Sequence, residues 1–177
     1  MTDTPKIWVC SIRDYVNGHN VGEWLDLDNF TDEDEVLEAI QGMLKGWDEE
    51  LGIDTWDVPR EEWTIHDYEG FPSRFYSEYM SFGPVLQWIE DTQDMDEDRK
   101  EAYELYLDHA NNPTLEGFED SYRGYYKGGL EEYAEELTES CYDIPQHLTW
   151  YIDYAKIGRD METNYEVWEE NGHVFTR

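Results

Sequence analysis

Residues 6–27 read KIWVCSIRDYVNGHNVGEWLDL, and the fold class turns on them. Ile7, Val9 and Ser11 alternate with Trp8, Cys10 and Ile12, a period of two with apolar side chains on both faces, which predicts a strand. Residues 17–20, NGHN, supply a turn, and VGEWLDL at 21–27 continues as a second strand, so the pair reads as an antiparallel hairpin. Outward from it the period changes. Residues 30–47, FTDEDEVLEAIQGMLKGW, predict a helix with Thr31 as N-cap. Asp32, Glu33 and Asp34 lie where the helix dipole favours anions, and Val36, Leu37, Ile40 and Leu44 share one face. After a loop over 48–61, residues 62–70, EWTIHDYEG, alternate again and predict a third strand. A ββαβ unit of this kind makes the class α+β.

The rest reads mostly as helix. Pro84 beside Gly83 starts a helix with Val85, Leu86 and Ile89 inside. Residues 94–110, DMDEDRKEAYELYLDHA, place Ala102, Tyr103, Tyr106 and Ala110 on one face and Glu97, Glu101, Glu104 and Asp108 on another. Thr114 caps a helix over 114–124. The segment at 128–145 sets Leu130, Tyr133, Ala134, Leu137 and Cys141 against Glu131, Glu132, Glu135, Glu136 and Glu139. Pro145 is placed to start a further helix through Met161, and Asn171-Gly172 marks a closing hairpin.

The composition is lopsided. Among 177 residues, 44 Asp and Glu stand against 12 Lys and Arg, a formal charge of −32. Such chains are often disordered, but eight Trp, fourteen Tyr and six Phe each bury about 150–250 Å², enough for a core. A folded surface this negative repels nucleic-acid phosphate and anionic lipid and steers toward basic grooves. The partners expected are therefore cationic proteins, with no nucleic acid and no membrane. No apolar run approaches the ~20 residues of a membrane span. Cys10 and Cys141 lack CxxC spacing and read as reduced and half-buried, which suits the cytoplasm.

Motifs for chemistry fail one by one. Asp94, Asp96 and Asp98 open a D-x-D-x-D pattern, but an EF-hand would need Gly where Arg99 stands and Glu where Leu105 stands. His66-Asp67 finds no spaced ligand set among His19, His109, His147 and His173. There is no G-x-S-x-G, Walker A or Rossmann pattern, so neither catalysis nor a cofactor is expected. What remains is the charge. Glu97 to Asp108 spans about 16 Å of helix, one carboxylate per ~5 Å, where B-DNA carries one phosphate per ~1.7 Å. About three such rows match DNA, and helices beginning near Thr31, Asp94 and Leu130 are placed to supply them. The phosphate-mimicking set expected is Asp32, Glu33, Glu35 and Glu38; Asp94, Glu97, Asp98, Glu101, Glu104 and Asp108; Glu116, Glu119 and Asp120; and Glu131, Glu132, Glu135, Glu136 and Glu139. An acidic adaptor or chaperone for basic DNA-binding proteins is the alternative that the same charge allows.

KIWVCSIRDYVNGHNVGEWLDL, EEWTIHDYEGF at 61–71, FEDSYRGYYKGGLEEYAEEL at 118–137, YDIPQHLTWYIDYAKIGRDM at 142–161 and the terminal HVFTR together resemble the ArdA antirestriction family of mobile elements and phages, in the family's order over nearly the whole chain. The resemblance implies an elongated, bent homodimer whose subunits have three small domains, here 1–72 (α+β), 73–113 (helical) and 114–177 (α+β). It implies B-form DNA mimicry in the groove of type I restriction-modification enzymes, chiefly the methyltransferase core with its specificity subunit, in the bacterial cytoplasm. It also implies a C-terminal dimer interface, carried here to Trp150, Tyr151 and Tyr154. The segment 41–61 differs in length from many relatives.

Overall fold

A computed structural model describes residues 4–52 and 58–177; part of the expected 48–61 loop lies outside the described residues. The architecture is mixed α+β, with two small three-stranded antiparallel sheets. By contacts the chain divides into two compact units, residues 1–94 and 95–177.

In the first unit, β1 (Lys6–Ser11), β2 (Gly22–Asp26) and β3 (Trp63–Glu69) pair in the order β2-β1-β3. The expected ββαβ pattern is thus present, with both neighbours antiparallel to β1. The first strand ends earlier than its alternation predicts. Ser11 Oγ accepts the Asp14 amide at 3.3 Å, and this cap turns Ile12–Val16 into the short helix α1. The third strand departs from strict alternation as well. Trp8 pairs with Asp67 and Val9 with Ile65, so His66 is an extra residue in a β-bulge.

The long helix α2 (Glu33–Leu51) buries Val36, Ile40, Leu44 and Trp47, while the sheet buries Ile7, Val9 and Ile65. Each such side chain contributes roughly 1.5–3 kcal/mol by leaving water. Asp32, not Thr31, is the N-cap: its carboxylate accepts the Glu35 amide at 2.9 Å, while Glu35 returns to the Thr31 amide at 2.8 Å. That reciprocal pair satisfies two helix-terminal amides and shifts the start by one residue. The helix also outruns Trp47 and stops at Gly52, whose φ of +79° suits glycine. Then α3 (Gly83–Thr92) carries Pro84 in its first turn as expected, with Trp88 buried beside Val85 and Leu86 and Ile89 only half-buried.

Arg60 closes this unit. Its Nε and Nη2 donate to the two oxygens of Asp14 at 2.7 and 3.0 Å, and Nη1 reaches Asp48 Oδ1 at 2.8 Å and the carbonyls of Gly52 and Trp47 at 3.1 and 3.3 Å. One buried guanidinium therefore ties α1 to the C-terminal turn of α2.

In the second unit, α4 (Glu97–His109) and α5 (Leu115–Ser121) precede β4 (Tyr122–Tyr125), α6 (Leu130–Cys141), α7 (Tyr154–Thr163), β5 (Val167–Glu170) and β6 (His173–Thr176). The sheet order is β4-β6-β5. Asn171 and Gly172 take φ of 53° and 87° between β5 and β6, the hairpin that Asn-Gly predicts. Thr114 caps α5, accepting from the Gly117 amide at 3.1 Å. The helix ends at Ser121 rather than 124, because Tyr122 and Gly124 pair with Phe175 and Val174.

Pro145 does not begin a helix: a 3-10 turn at Thr149–Tyr151 comes first, and α7 waits for Asp153, whose carboxylate accepts the Lys156 amide at 2.9 Å. Cys10 is buried and Cys141 exposed, both free, in place of two half-buried thiols. Two packed layers organise the unit. Phe118 and Phe175 sit at the centre of an aromatic group with Tyr103, Tyr106, Tyr122 and Trp168, Trp168 stacking on Phe175 at 4.0 Å. Tyr126, Tyr133, Val167 and Val174 form a second cluster, bordered by Leu130, Leu137 and Met161. There α6 and α7 pack so closely that a Cβ on Gly158 would lie 2.6 Å from the Leu130 carbonyl oxygen.

Candidate acidic interface

Helical geometry places the acids before any partner is considered. On α4, Ala102 and Tyr103 are buried, so Glu97, Glu101 and Asp108 are left exposed and Glu104 half-buried. Asp96 caps this helix, accepting the Arg99 amide at 2.8 Å, and Glu97 and Asp98 occupy its first turn, where the dipole favours them. The row expected from the spacing is present on one continuous helix. Its members also have local partners: Asn171 Nδ2 donates to Glu101 at 3.1 Å, pinning α4 to the β5–β6 turn. His109 Nε2 lies 2.7 Å from Glu170 Oε2, with its ring against Trp168.

On α6, Tyr133 and Ala134 face inward, and Glu131, Glu132, Glu135, Glu136 and Glu139 are all exposed. They form two rows, Glu131-Glu135-Glu139 and Glu132-Glu136, at the four-residue step. Glu132 also accepts the Gly128 amide at 2.8 Å, holding the turn before the helix. The field of this face reaches inward: burial raises the pKa of Tyr126, and Glu136 raises it further. On α5, Glu116, Glu119 and Asp120 are exposed, and Glu119 pairs with Arg99, whose guanidinium lies over Phe118 and Tyr122.

In the first unit, Asp32, Glu35 and Glu38 are exposed along the start of α2, and Asp94 is exposed at the unit's end. Glu33 differs. It is half-buried and accepts the Phe82 amide and the Ser81 hydroxyl, each at 3.3 Å, so this carboxylate caps α3. Asp32 and Glu35 are likewise engaged in the cap of α2. Most of the expected set is therefore helix-borne and exposed; Glu33 and Glu104 are half-buried, Asp94 lies in the turn before α4, and a minority of the set also holds helix ends.

The three aromatic residues expected at an interface separate. Trp150 and Tyr151 are 90% and 84% exposed on the 3-10 turn. Tyr154 instead turns inward at the start of α7, its hydroxyl shut from solvent without a hydrogen-bond partner. Desolvation raises its pKa, and Glu139 and Glu135 of α6 add to the shift. Among the described residues no group of three or more His, Cys, Asp or Glu side chains is arranged to hold a metal ion, and no helix is long and apolar enough to cross a membrane.

The family model of the antirestriction protein ArdA matches residues 7–175. The chain belongs to the ArdA antirestriction family. No individual curated protein matches it. The ArdA match runs from the first buried residue of β1 to Phe175 of β6, so it takes in both units and every acidic helix described above. The buried Arg60 network lies inside the ArdA span too, and composition gave no sign of it: an arginine followed by two glutamates in a loop looks like solvated charge.

Proposed function

We propose that this ArdA chain inhibits type I restriction-modification enzymes by mimicking B-form DNA. It occupies the DNA groove of the methyltransferase core with its specificity subunit and so prevents modification and restriction. The observation that carries the reading is the exposure of carboxylate rows on helices whose opposite faces are packed into the cores, because that combination fixes anions in space as a duplex fixes phosphates. The row on α4 alone has about a third of DNA's linear charge, so the α2, α5 and α6 carboxylates act with it. Binding is by occupancy, without turnover, in the bacterial cytoplasm. Two chains pair through the C-terminal segment bearing Trp150 and Tyr151, with Tyr154 behind them, into an elongated three-domain-per-subunit dimer.

The deciding assay is competition. A type I methyltransferase holding labelled DNA releases it as the protein approaches stoichiometry, and added salt weakens the effect steeply. Retention of the DNA at low salt and excess protein refutes the mechanism. Equal binding to unrelated basic proteins of similar charge favours the acidic adaptor instead.

A further inference from the structure

The first unit carries a cleft that the acidic rows do not use. Its volume is about 420 Å³, and Tyr15, Thr64, His66, Tyr76, Glu78 and Tyr79 line it. Two features show that it is built rather than accidental. His66 is the extra residue of the β3 bulge, a device that re-aims a side chain, and its ring meets Tyr15 edge-on at 4.4 Å. The opposite wall is held to the strand by three hydrogen bonds. The Ile65 amide donates to the Glu78 carbonyl at 3.1 Å, the Thr64 hydroxyl to the same carbonyl at 3.4 Å, and the Tyr76 hydroxyl to the Ile65 carbonyl at 3.2 Å.

Into this frame Tyr15 and Tyr79 project 58% and 68% exposed, and Glu78 lines the same cleft. Aromatic faces beside a carboxylate attract a cation that can shed part of its water. The neighbouring Arg13 does not fill the role, because its guanidinium is directed to the Val58 carbonyl. We propose that the cleft receives one arginine side chain of the protein partner, with Tyr15 and Tyr79 against the guanidinium face and Glu78 accepting from its edge. This rests on the reading of the partner as a basic DNA-binding protein and adds to it a point contact that DNA itself does not offer.

The probe is Nα-acetyl-arginine methylamide, titrated into the whole chain and followed by NMR at the His66 ring and the Ile65 and Glu78 amides. The neutral isostere, Nα-acetyl-citrulline methylamide, is the control. Saturable shifts confined to the cleft are expected with arginine and none with citrulline. Glu78→Gln weakens the arginine curve about threefold, and Tyr15→Ala with Tyr79→Ala about tenfold; all three side chains are exposed, so the fold survives. Equal shifts with citrulline, shifts spread evenly along α2, α4 and α6, or curves unmoved by both variants overturn the proposal. Saturation at the cleft in a protein that fails to displace DNA from the methyltransferase keeps the cleft and removes the mimic reading, so the two fail separately.

Discussion

Replacing Arg60 by methionine keeps an apolar stem of similar length but removes the guanidinium that donates five hydrogen bonds, to both Asp14 oxygens, Asp48 Oδ1 and the carbonyls of Trp47 and Gly52. The side chains of Arg60, Asp14 and Asp48 are 3%, 10% and 13% exposed, so water does not replace the lost donors. Breaking one side of a buried pair costs about 3–5 kcal/mol, chiefly through the charge left unpaired. Against a typical total of about 5–15 kcal/mol, that is enough to unfold a large fraction of a marginal unit. Urea unfolding followed by tryptophan fluorescence reads the loss.

The pH dependence supplies an independent sign. Burial alone pushes the Asp14 carboxyl up, but hydrogen bonds from Arg60 and Ser11 and the charges of Arg60 and Arg13 outweigh it and hold the folded value below the ordinary one. In the native protein this stabilisation is therefore present above about pH 4 and is lost as pH falls through the lower folded value. In Arg60→Met the hydrogen bonds and charge of Arg60 no longer oppose burial, so the folded carboxyl rises and the variant loses less stability in acid than the native protein does. The stability gap between the two proteins should narrow from pH 7 toward pH 4, and adding Asp14→Asn should recover part of it at pH 7. A gap under about 1 kcal/mol at pH 7, or one that widens with acid, refutes the assignment of Arg60 as the electrostatic clasp of the unit.

Three further outcomes follow from geometry. Asp96→Ala removes the cap of α4 and should cost about 1 kcal/mol, seen as a fall of about 4–8 °C in the melting of the second unit; no change would mean that water caps the helix equally well. Gly158→Ala should destabilise by about 1–3 kcal/mol although alanine ordinarily favours a helix interior, because its Cβ would meet the Leu130 carbonyl at 2.6 Å. A gain in stability would show that α7 moves freely from α6. Trp150→Ala with Tyr151→Ala should leave the melting temperature unchanged, since both rings are exposed, and should reduce the particle mass in light scattering if that turn joins two chains; an unaltered mass places the interface elsewhere.

The elements legible in the sequence were those fixed by near neighbours. Asn171-Gly172, Thr114 and Pro84 each act within four residues, and each does in the structure what its chemistry predicts. The apolar face of α6 was equally legible at Tyr133 and Ala134, though Cys141 at its end is exposed. Local pattern misleads where a distant group or a competing cap decides. Ile12 continues an apolar alternation, yet the Ser11 cap draws it into α1. Pro145 can begin a helix, but the Leu148 amide closes a tight turn on the Pro145 carbonyl instead, and a side-chain cap comes only at Asp153. Local pattern carries α5 through Tyr122, whose strand partner, Phe175, lies 53 residues away. The acidic surface was legible for the reason that it is simple: on a helix with one aromatic face, the remaining acids have nowhere else to point. Which of them double as caps, as Glu33 does for α3, depends on tertiary contacts that no local pattern contains.

The repulsion along α4 distinguishes a charge pattern from mere net charge. Three like-charged neighbours in the row from Glu97 to Asp108 cost the isolated helix roughly 1 kcal/mol together. That cost is offset by the Asp96 cap, by Glu97 at the positive end of the dipole, and by Tyr103 and Tyr106 packing against Phe118. A flexible acidic tail would carry the same charge without the repulsion, so the helix is worth its strain only if position matters. Two variants of identical net charge separate the cases: one with Glu97→Gln, Glu101→Gln, Glu104→Gln and Asp108→Asn, the other with Glu23, Glu61, Glu162 and Glu166 each changed to Gln at exposed sites off the rows. If the fixed array competes with DNA, the first should displace it from the methyltransferase several-fold less well than the second at the same salt. Equal losses would mean that net charge alone acts, and the alignment of carboxylates on α4 would then have no part in inhibition.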